Sequence, residues 1–234
     1  MSFAEFAPKH FEKALDIARH LASYAKLDFT AECIRMSVID PAKAMYMDTS
    51  LFPAKYKTDK EFTFGINLNM IYKLIKSLDN NIPIEIEATE EKMSITQIGH
   101  RHELSNQTLQ YEVPDVKSVM GPVVKVDTKM FQKYIRTLAN VAPVFEITYD
   151  PQSSTLFLES VNSMYRTLFA IHTEDNNDAW QEVYKKQVVA KFVEAAINPS
   201  LGDTINLELG EFVQIRYEKD GLQVAVTVAN YTEG

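Results

Sequence analysis

The stretch KMFQKYIRTLANVAPVFEIT at residues 129–148 repeats the pattern of KHFEKALDIARHLASYAKLDFT at residues 9–30. In each, apolar residues first recur every three or four positions, as in an amphipathic helix, and then alternate, as in a strand. Later strings repeat at the same distance of about 120 residues, among them Ile84–Glu87 with Ile205–Glu208 and Lys73 with Lys191. The sequence therefore predicts two similar domains.

Four helical patterns and many short alternating segments fill these two domains. The helices are predicted at residues 8–26, 66–78, 128–140 and 182–197, with Asp127 as the N-cap of the third. Turn signals such as Asp150-Pro151-Gln152-Ser153 separate the strands. This arrangement predicts an α+β fold in which each domain combines antiparallel sheet with two helices. We expect domains at residues 1–110 and 123–234, joined by a connector at residues 111–122.

The composition of the chain limits the classes of protein to which it can belong. The 234 residues include 24 Lys and Arg against 32 Asp and Glu, a net charge of −8, so the surface as a whole does not attract nucleic acid. The single cysteine, Cys33, excludes an internal disulfide and is typical of a reducing compartment. No apolar run approaches the ~18 residues of a membrane helix, and no signal peptide is expected at the N-terminus.

The charges are unevenly distributed along the chain. The four predicted helices contain 12 basic and 4 acidic residues, whereas the rest contains 12 basic and 28 acidic residues. Lys129, Lys133 and Arg136 share one helix face because they are spaced at i, i+4 and i+7. Solvated helix faces are often charged, which is one explanation. Because the second and third helices contain no acid, the pattern favours a polyanion beside the helices.

Several motifs resemble the proliferating cell nuclear antigen (PCNA) type of DNA sliding clamp. They are Tyr56-Lys57-Thr58-Asp59, then Phe64-Gly65-Ile66-Asn67-Leu68 with a lysine-bearing helix, and Ala195–Thr204 near the C-terminus. The resemblance implies a subunit of two α+β domains, of which three close a ring. It implies a processivity factor without catalytic activity that encircles double-stranded DNA regardless of sequence. The alternative is a subunit of a heterotrimeric or damage-response clamp that does not close alone.

The resemblance also assigns residues to three surfaces. The DNA-facing channel would comprise Lys9, Lys13, Arg19, Lys73, Lys76, Lys129, Lys133, Arg136, Lys185, Lys186 and Lys191. The subunit interface would pair the segments 102–112 and 164–172, through Leu104, Thr108, Leu109, Tyr111, Met164, Arg166 and Leu168. A pocket for PIP-box peptides would comprise Ile39, Lys43, Ala44, Met45, Val113, Val116, Val119, Val228, Ala229 and Tyr231.

The implied partners are a DNA polymerase, a clamp loader, a ligase and a nuclease, with no cofactor and no membrane. Val228-Ala229-Asn230 stands where the family has Leu-Ala-Pro, a difference that suggests an archaeal or viral member, or one subunit of a heterotrimer. Such a member would act in the cytoplasm at the nucleoid, whereas a eukaryotic one would be nuclear.

Other sites are not supported by the sequence. His100 and His102 could bind a metal, but no third ligand is evident. Cys33 lies in a predicted strand and is expected in the core. The sequence contains no phosphate-binding glycine loop, nucleophile elbow or zinc-protease motif. We therefore expect neither a metal site nor an enzyme.

Overall fold

The computed structural model of the chain describes residues 1–109, 121–162, 164–173, 180–219 and 221–231. Its contacts group the chain into two compact units. The first unit comprises Met1–Pro114 with Glu218–Val224, and the second comprises Asp115–Tyr217 with Ala225–Gly234. The expected connector at residues 111–122 lies outside the described residues except for its last two positions, so the predicted domain boundaries stay a prediction.

The described elements follow the same order twice along the chain. The N-terminal half contains β1 Ser2–Phe6, α1 Pro8–Leu21, β2 Tyr24–Phe29, β3 Ile34–Ile39, β4 Met45–Leu51, β5 Lys55–Thr58, β6 Phe62–Asn67, α2 Leu68–Lys76, β7 Ile84–Ala88, β8 Lys92–Gln97 and β9 His100–Ser105. The C-terminal half contains β10 Val123–Asp127, α3 Thr128–Val141, β11 Val144–Asp150, β12 Thr155–Val161, β13 Arg166–His172, β14 Tyr184–Val189, α4 Ala190–Ala196, β15 Thr204–Leu209, β16 Val213–Lys219 and β17 Leu222–Val228.

The strands form corresponding antiparallel arrangements in the two halves. In the N-terminal half one sheet has the order β5-β1-β7-β8-β9, and the strands β4, β3, β2 and β6 are neighbours in that order. In the C-terminal half the corresponding orders are β10-β15-β16-β17 and β13-β12-β11-β14. The predicted α+β class with two helices in each half is confirmed. Among the described strands, β5 has no counterpart in the C-terminal half.

The buried residues explain why these elements form. Phe11 and Phe131, which mark the sequence repeat, are 1% and 0% exposed, and both lie on helix faces turned to the core. Each full burial of such a side chain stabilises the fold by roughly 2–3 kcal/mol. Among the described residues, no helix is long and apolar enough to cross a membrane.

The helix ends follow local backbone chemistry. α3 begins after Asp127, whose carboxylate accepts the N–H of Met130 at 2.7 Å, so the predicted cap is confirmed. α2 begins after Asn67, whose side chain accepts from the N–H of Met70 at 3.0 Å. The first helix is shorter than its predicted span, because Ala22 is extended and residues from Tyr24 onward form β2.

Gly65 on β6 allows the segment after β9 to approach closely. A Cβ at this position would lie 1.9 Å from the backbone oxygen of Gln107. The N–H of Gly65 donates to Asn106 Oδ1 at 2.7 Å, and the N–H of Gln107 donates to the oxygen of Gly65 at 3.1 Å. These bonds hold the chain after β9 along the edge of β6.

We predict that Gly65→Ala lowers the free energy of unfolding by about 1–3 kcal/mol, because the added methyl group must displace backbone. Urea denaturation measures the change. Gly202→Ala is the control, since a Cβ there would meet its nearest atom at 3.2 Å. Equal stability losses in the two variants would contradict the close approach at Gly65.

Candidate functional site

Positive charge is concentrated on the helices. α1 packs against α2 in the first unit, and α3 packs against α4 in the second unit. With their observed bounds, the four helices contain nine basic and three acidic residues, although the whole chain has a net charge of −8. Each helix buries its apolar stripe, so these basic side chains are left on the faces away from the core.

The α3–α4 pair presents three accessible lysines. Lys129, Lys133 and Lys191 are exposed, and within the described part of the chain none of them forms an ion pair. Arg136 differs, because its Nε lies 3.1 Å from Glu194 Oε1. That exposed pair contributes little to stability but offsets part of the positive charge of Arg136.

The α1–α2 pair holds its cations around an aromatic ring. The guanidinium of Arg19 lies 4.2 Å from the ring centroid of Tyr72 and forms an ion pair with Asp16 at 2.7 Å. Lys76 Nζ donates to the hydroxyl of Tyr72 at 3.4 Å. Tyr72 was not among the site residues predicted from the sequence, although its i, i+4 spacing to Lys76 indicates that the two side chains are neighbours on the helix surface.

The other basic side chains of the α1–α2 pair differ in their exposure. Lys9 and Lys73 are exposed, whereas Lys13 is half-buried and already takes part in an interaction within the chain. The predicted channel residues of the first unit therefore all lie on α1 or α2, but they differ in how freely they can reach a ligand.

The prediction for the fourth helix is wrong in its first half. Residues 184–189 form β14, which pairs in register with β11, and α4 begins only at Ala190. The apolar pair Val188 and Val189 belongs to this strand, although its spacing to Phe192 and Val193 had indicated a helix. Lys185 and Lys186 therefore lie on a sheet, and Lys185 Nζ is bound to Glu146 at 2.9 Å.

The predicted interface segments contain two sheet-edge strands. β9 ends the five-stranded sheet and β13 ends the sheet that continues with β12. On β13, Leu168 is 49% exposed, and Arg166 donates to Glu159 at 2.6 Å, which raises the pKa of the Arg166 guanidinium. On β9, Leu104 is half-buried.

Of the predicted edge segment 102–112, the described part forms a strand only as far as Ser105. β9 ends at Ser105, because Asn106 turns the chain towards β6 by donating from Nδ2 to the oxygen of Thr63 at 3.3 Å. Thr108 and Leu109 follow this turn. They therefore do not extend the free edge of β9, although the interface prediction required that they do so. Tyr111 lies outside the described residues.

A short turn before β13 presents two large apolar side chains. Asn162 Oδ1 accepts the backbone N–H groups of Met164 and Tyr165 at 2.8 and 2.7 Å. The same asparagine donates to the oxygen of Val141 at 2.7 Å, so the turn is fixed to the end of α3. Met164 is 79% exposed and Tyr165 is 63% exposed. Tyr165 was not among the predicted interface residues.

The predicted peptide pocket divides into exposed and buried positions. Lys43 is exposed in the turn between β3 and β4, where Asp40 accepts the N–H of Met45 at 2.5 Å. Met45 itself is 4% exposed and Val228 is 0% exposed, so neither side chain is available at the surface. Tyr231 is 40% exposed. The remaining described positions, Ile39, Ala44 and Ala229, are half-buried, whereas Val113, Val116 and Val119 lie outside the described residues.

The described residues offer little support for a metal site or a catalytic site. Within the described ranges, no group of three or more His, Cys, Asp or Glu side chains is arranged to hold a metal ion. His100 and His102 are exposed on β9, and Cys33 is buried, as expected. Desolvation raises the pKa of the Tyr56 hydroxyl to about 12, but this group donates to the oxygen of Thr30 at 2.7 Å in a structural role.

We predict that Val228→Ala lowers the free energy of unfolding by about 2 kcal/mol, because it removes two buried methyl groups and leaves a cavity. Tyr231→Ala should change it by less than about 1 kcal/mol, since that side chain is partly solvated. Urea denaturation of both variants measures the difference. A Val228→Ala variant as stable as the parent would show that this residue is a surface position after all.

Comparison with known proteins identifies the fold. Residues 6–118 match the family described as proliferating cell nuclear antigen, N-terminal domain. A relative from Nitrosopumilus maritimus, named DNA polymerase sliding clamp, is 27% identical over 122 residues, which are 49% of this chain and 48% of that protein. The chain thus aligns with about half the length of this curated relative.

Two solved structures match over the full length. The A. fulgidus PCNA bound to the C-terminal region of FEN-1 has a TM-score of 0.87 at 15% identity, with 100% of both chains covered. The PCNA of Entamoeba histolytica has a TM-score of 0.85 at 14% identity, with 99% of both covered. At this identity the structures show the shared fold. In sequence, residues 6–118 match the N-terminal domain of proliferating cell nuclear antigen, and the whole chain shares the fold of these two PCNA structures.

Proposed function

We propose that the chain is one subunit of a ring-shaped sliding clamp that encircles duplex DNA and tethers replication and repair enzymes to it. The clamp has no chemistry of its own. The observation that carries this proposal is the positive charge on the helices of both units in a chain whose net charge is −8. The two domains would be residues 1–110 and 123–234, with 111–122 as their connector.

The type of cation supports DNA binding without sequence preference. Lysine ammonium groups on flexible stems interact with phosphates as point charges and do not need fixed geometry. Lys129, Lys133 and Lys191 are such groups, and they are free of ion pairs within the described part of the chain. Contacts to phosphates position a protein on DNA but carry no sequence information, so the clamp can slide.

The two edge strands support assembly from three copies. An unpaired sheet edge is a template for another strand, and closed rings satisfy all such edges. We propose that β9 of one copy pairs with β13 of the next, with Leu104, Met164 and Leu168 at the contact. Tyr165 joins this set because the Asn162 turn presents it beside Met164.

Partner enzymes would bind through short peptides. The A. fulgidus PCNA was solved with the C-terminal region of FEN-1 bound to it, which supports this mode for a chain of the same fold. We extend it to a polymerase, a clamp loader, a ligase and a nuclease carrying PIP boxes. Of the predicted peptide-binding positions, those left exposed or half-buried are Ile39, Lys43 and Ala44 in the first unit and Ala229 and Tyr231 in the second, and we propose that such peptides contact them. Such a clamp would act at the nucleoid or, in a eukaryote, in the nucleus.

Charge reversal on α3 tests the channel assignment. For Lys129→Glu with Lys133→Glu, we expect weaker binding to a 30-base-pair duplex, and the slope of log K against log salt should fall by about 0.9 per lost phosphate contact. Fluorescence anisotropy across a salt series measures this slope. Lys57→Glu is the control, because this exposed lysine lies on β5 and not on a helix.

The control separates the effect of charge on the helices from the effect of the net charge of the chain. If Lys57→Glu weakens binding per charge as strongly as the α3 reversals do, the helices are not the DNA-facing surface.

Light scattering tests the assembly. We expect a solution mass of about 80 kDa, three times the chain mass of 26.7 kDa, and a monomer for Leu168→Glu, which places a charge on the β13 edge. Val183→Glu is the control, because Val183 is also exposed but lies outside both edge strands. A parent protein near 27 kDa would instead favour the heterotrimeric alternative.

A further inference from the structure

The helix pairs of the two units are bridged at the same place by different side chains. Tyr72 is the fifth residue of α2, and Glu194 is the fifth residue of α4. Each contacts an arginine on the other helix of its pair. The guanidinium carbon of Arg19 lies 4.2 Å from the ring centroid of Tyr72, whereas Arg136 Nε lies 3.1 Å from Glu194 Oε1. The first unit thus uses a neutral ring where the second unit uses a carboxylate.

Arg19 fixes the ring of Tyr72 between the two helices. Its Nε and Nη2 both donate to Asp16 Oδ1, at 3.0 and 2.7 Å, so the guanidinium is held in one orientation over the ring. Asp16 also offsets the charge of Arg19. This arginine therefore contributes the position of the ring, and the unpaired positive charge near the ring must come from other side chains.

The hydroxyl of Tyr72 has a proton to donate at the surface. Lys76, one helical turn later, donates from Nζ to the hydroxyl oxygen at 3.4 Å, and this hydrogen bond is exposed. A tyrosine hydroxyl can accept and also donate its single proton. Because the oxygen accepts from Lys76, the proton is left for another acceptor, and no side chain or backbone group of the described residues takes it. Tyr72 thus offers a directed donor beside a positive charge.

The surroundings of this hydroxyl favour an anionic acceptor. Lys73 and Lys76 are both exposed, and neither forms an ion pair with a residue that the structure describes. α2 itself contains no acidic residue. In protein–DNA complexes, tyrosine hydroxyls are among the groups that donate hydrogen bonds to phosphate oxygens, together with lysine and arginine. A backbone phosphate therefore satisfies both the free proton and the unpaired charge.

We propose that the hydroxyl of Tyr72 donates a hydrogen bond to a backbone phosphate of duplex DNA, and that Lys76 neutralises the charge of this phosphate. The contact rests on the proposed clamp function and adds a neutral hydrogen bond of fixed direction to the predicted channel lysines. It belongs to the first unit alone. In the second unit the corresponding position is the carboxylate of Glu194, which repels phosphate.

Tyr72→Phe tests the contact, because it removes only the hydroxyl and keeps the ring beneath Arg19. We expect it to weaken binding to the 30-base-pair duplex by about twofold to tenfold at a given salt concentration. The slope of log K against log salt should remain that of the parent, since no cation is lost. Lys76→Gln should instead lower this slope by about 0.9, the loss of one phosphate contact. Fluorescence anisotropy across a salt series measures both quantities.

The control is Tyr24→Phe, which also removes the hydroxyl of an exposed tyrosine but on the strand β2. It should bind as the parent does. A Tyr72→Phe variant that binds as tightly as the parent would overturn the proposal. So would a variant with a lower salt slope, because its weaker binding would then come from displaced cations.

The same series distinguishes this contact from the clamp function. If Lys129→Glu with Lys133→Glu weakens binding but Tyr72→Phe does not, the contact is wrong and the proposed function stands. If the parent protein does not bind the duplex, both are overturned.

Discussion

The burial of the helices' apolar stripes is the constraint on which the rest of the structure depends. α1 and α3 each bury a phenylalanine at the same place in their sequence, Phe11 and Phe131, and this burial fixes which face of the helix remains outside. Basic residues spaced at i, i+4 and i+7 then share the outer face. A net-negative chain thereby acquires a localised positive surface in each unit.

Much of this could be read from the sequence, because helix periodicity and the repeat are local signals. The α+β class, the cap at Asp127 and the position of Cys33 follow from residue patterns alone. The fourth helix was predicted too long, because Val188 and Val189 fit both the apolar stripe of a helix and a strand. The segment forms a strand because it pairs with β11, and hydrophobic periodicity cannot reveal this tertiary contact. The end of β9 was likewise set by a side chain, Asn106, that bonds to a strand 41 residues earlier in the chain.

The two units use one architecture with different surface chemistry. In the first, Tyr72 and Asp16 hold Arg19 in place, whereas the second leaves Lys129, Lys133 and Lys191 available. Later residues of the chain pair with the corresponding strands in both units, with Gln107 on Gly65 in the first and Tyr231 on Gln187 in the second, but only Gly65 lacks a side chain. Both units nevertheless keep exposed lysines outside the ion pairs of the described residues, Lys9 and Lys73 in the first and Lys129, Lys133 and Lys191 in the second. Sequence comparison of the repeats alone could not show these differences, because each depends on which side chains meet.

Encirclement of DNA is the central claim, and retention on circular against linear DNA tests it most directly. The protein is loaded on a nicked plasmid, the unbound protein is removed at high salt, and half of the sample is cut once with a restriction enzyme. A closed ring remains on the circle, since salt screens the lysine–phosphate contacts but cannot open a topological link, and it slides off the cut DNA. We predict retention on the circle and loss from the linear form. Equal loss from both forms, or equal retention on both, would contradict a ring that holds DNA by enclosing it.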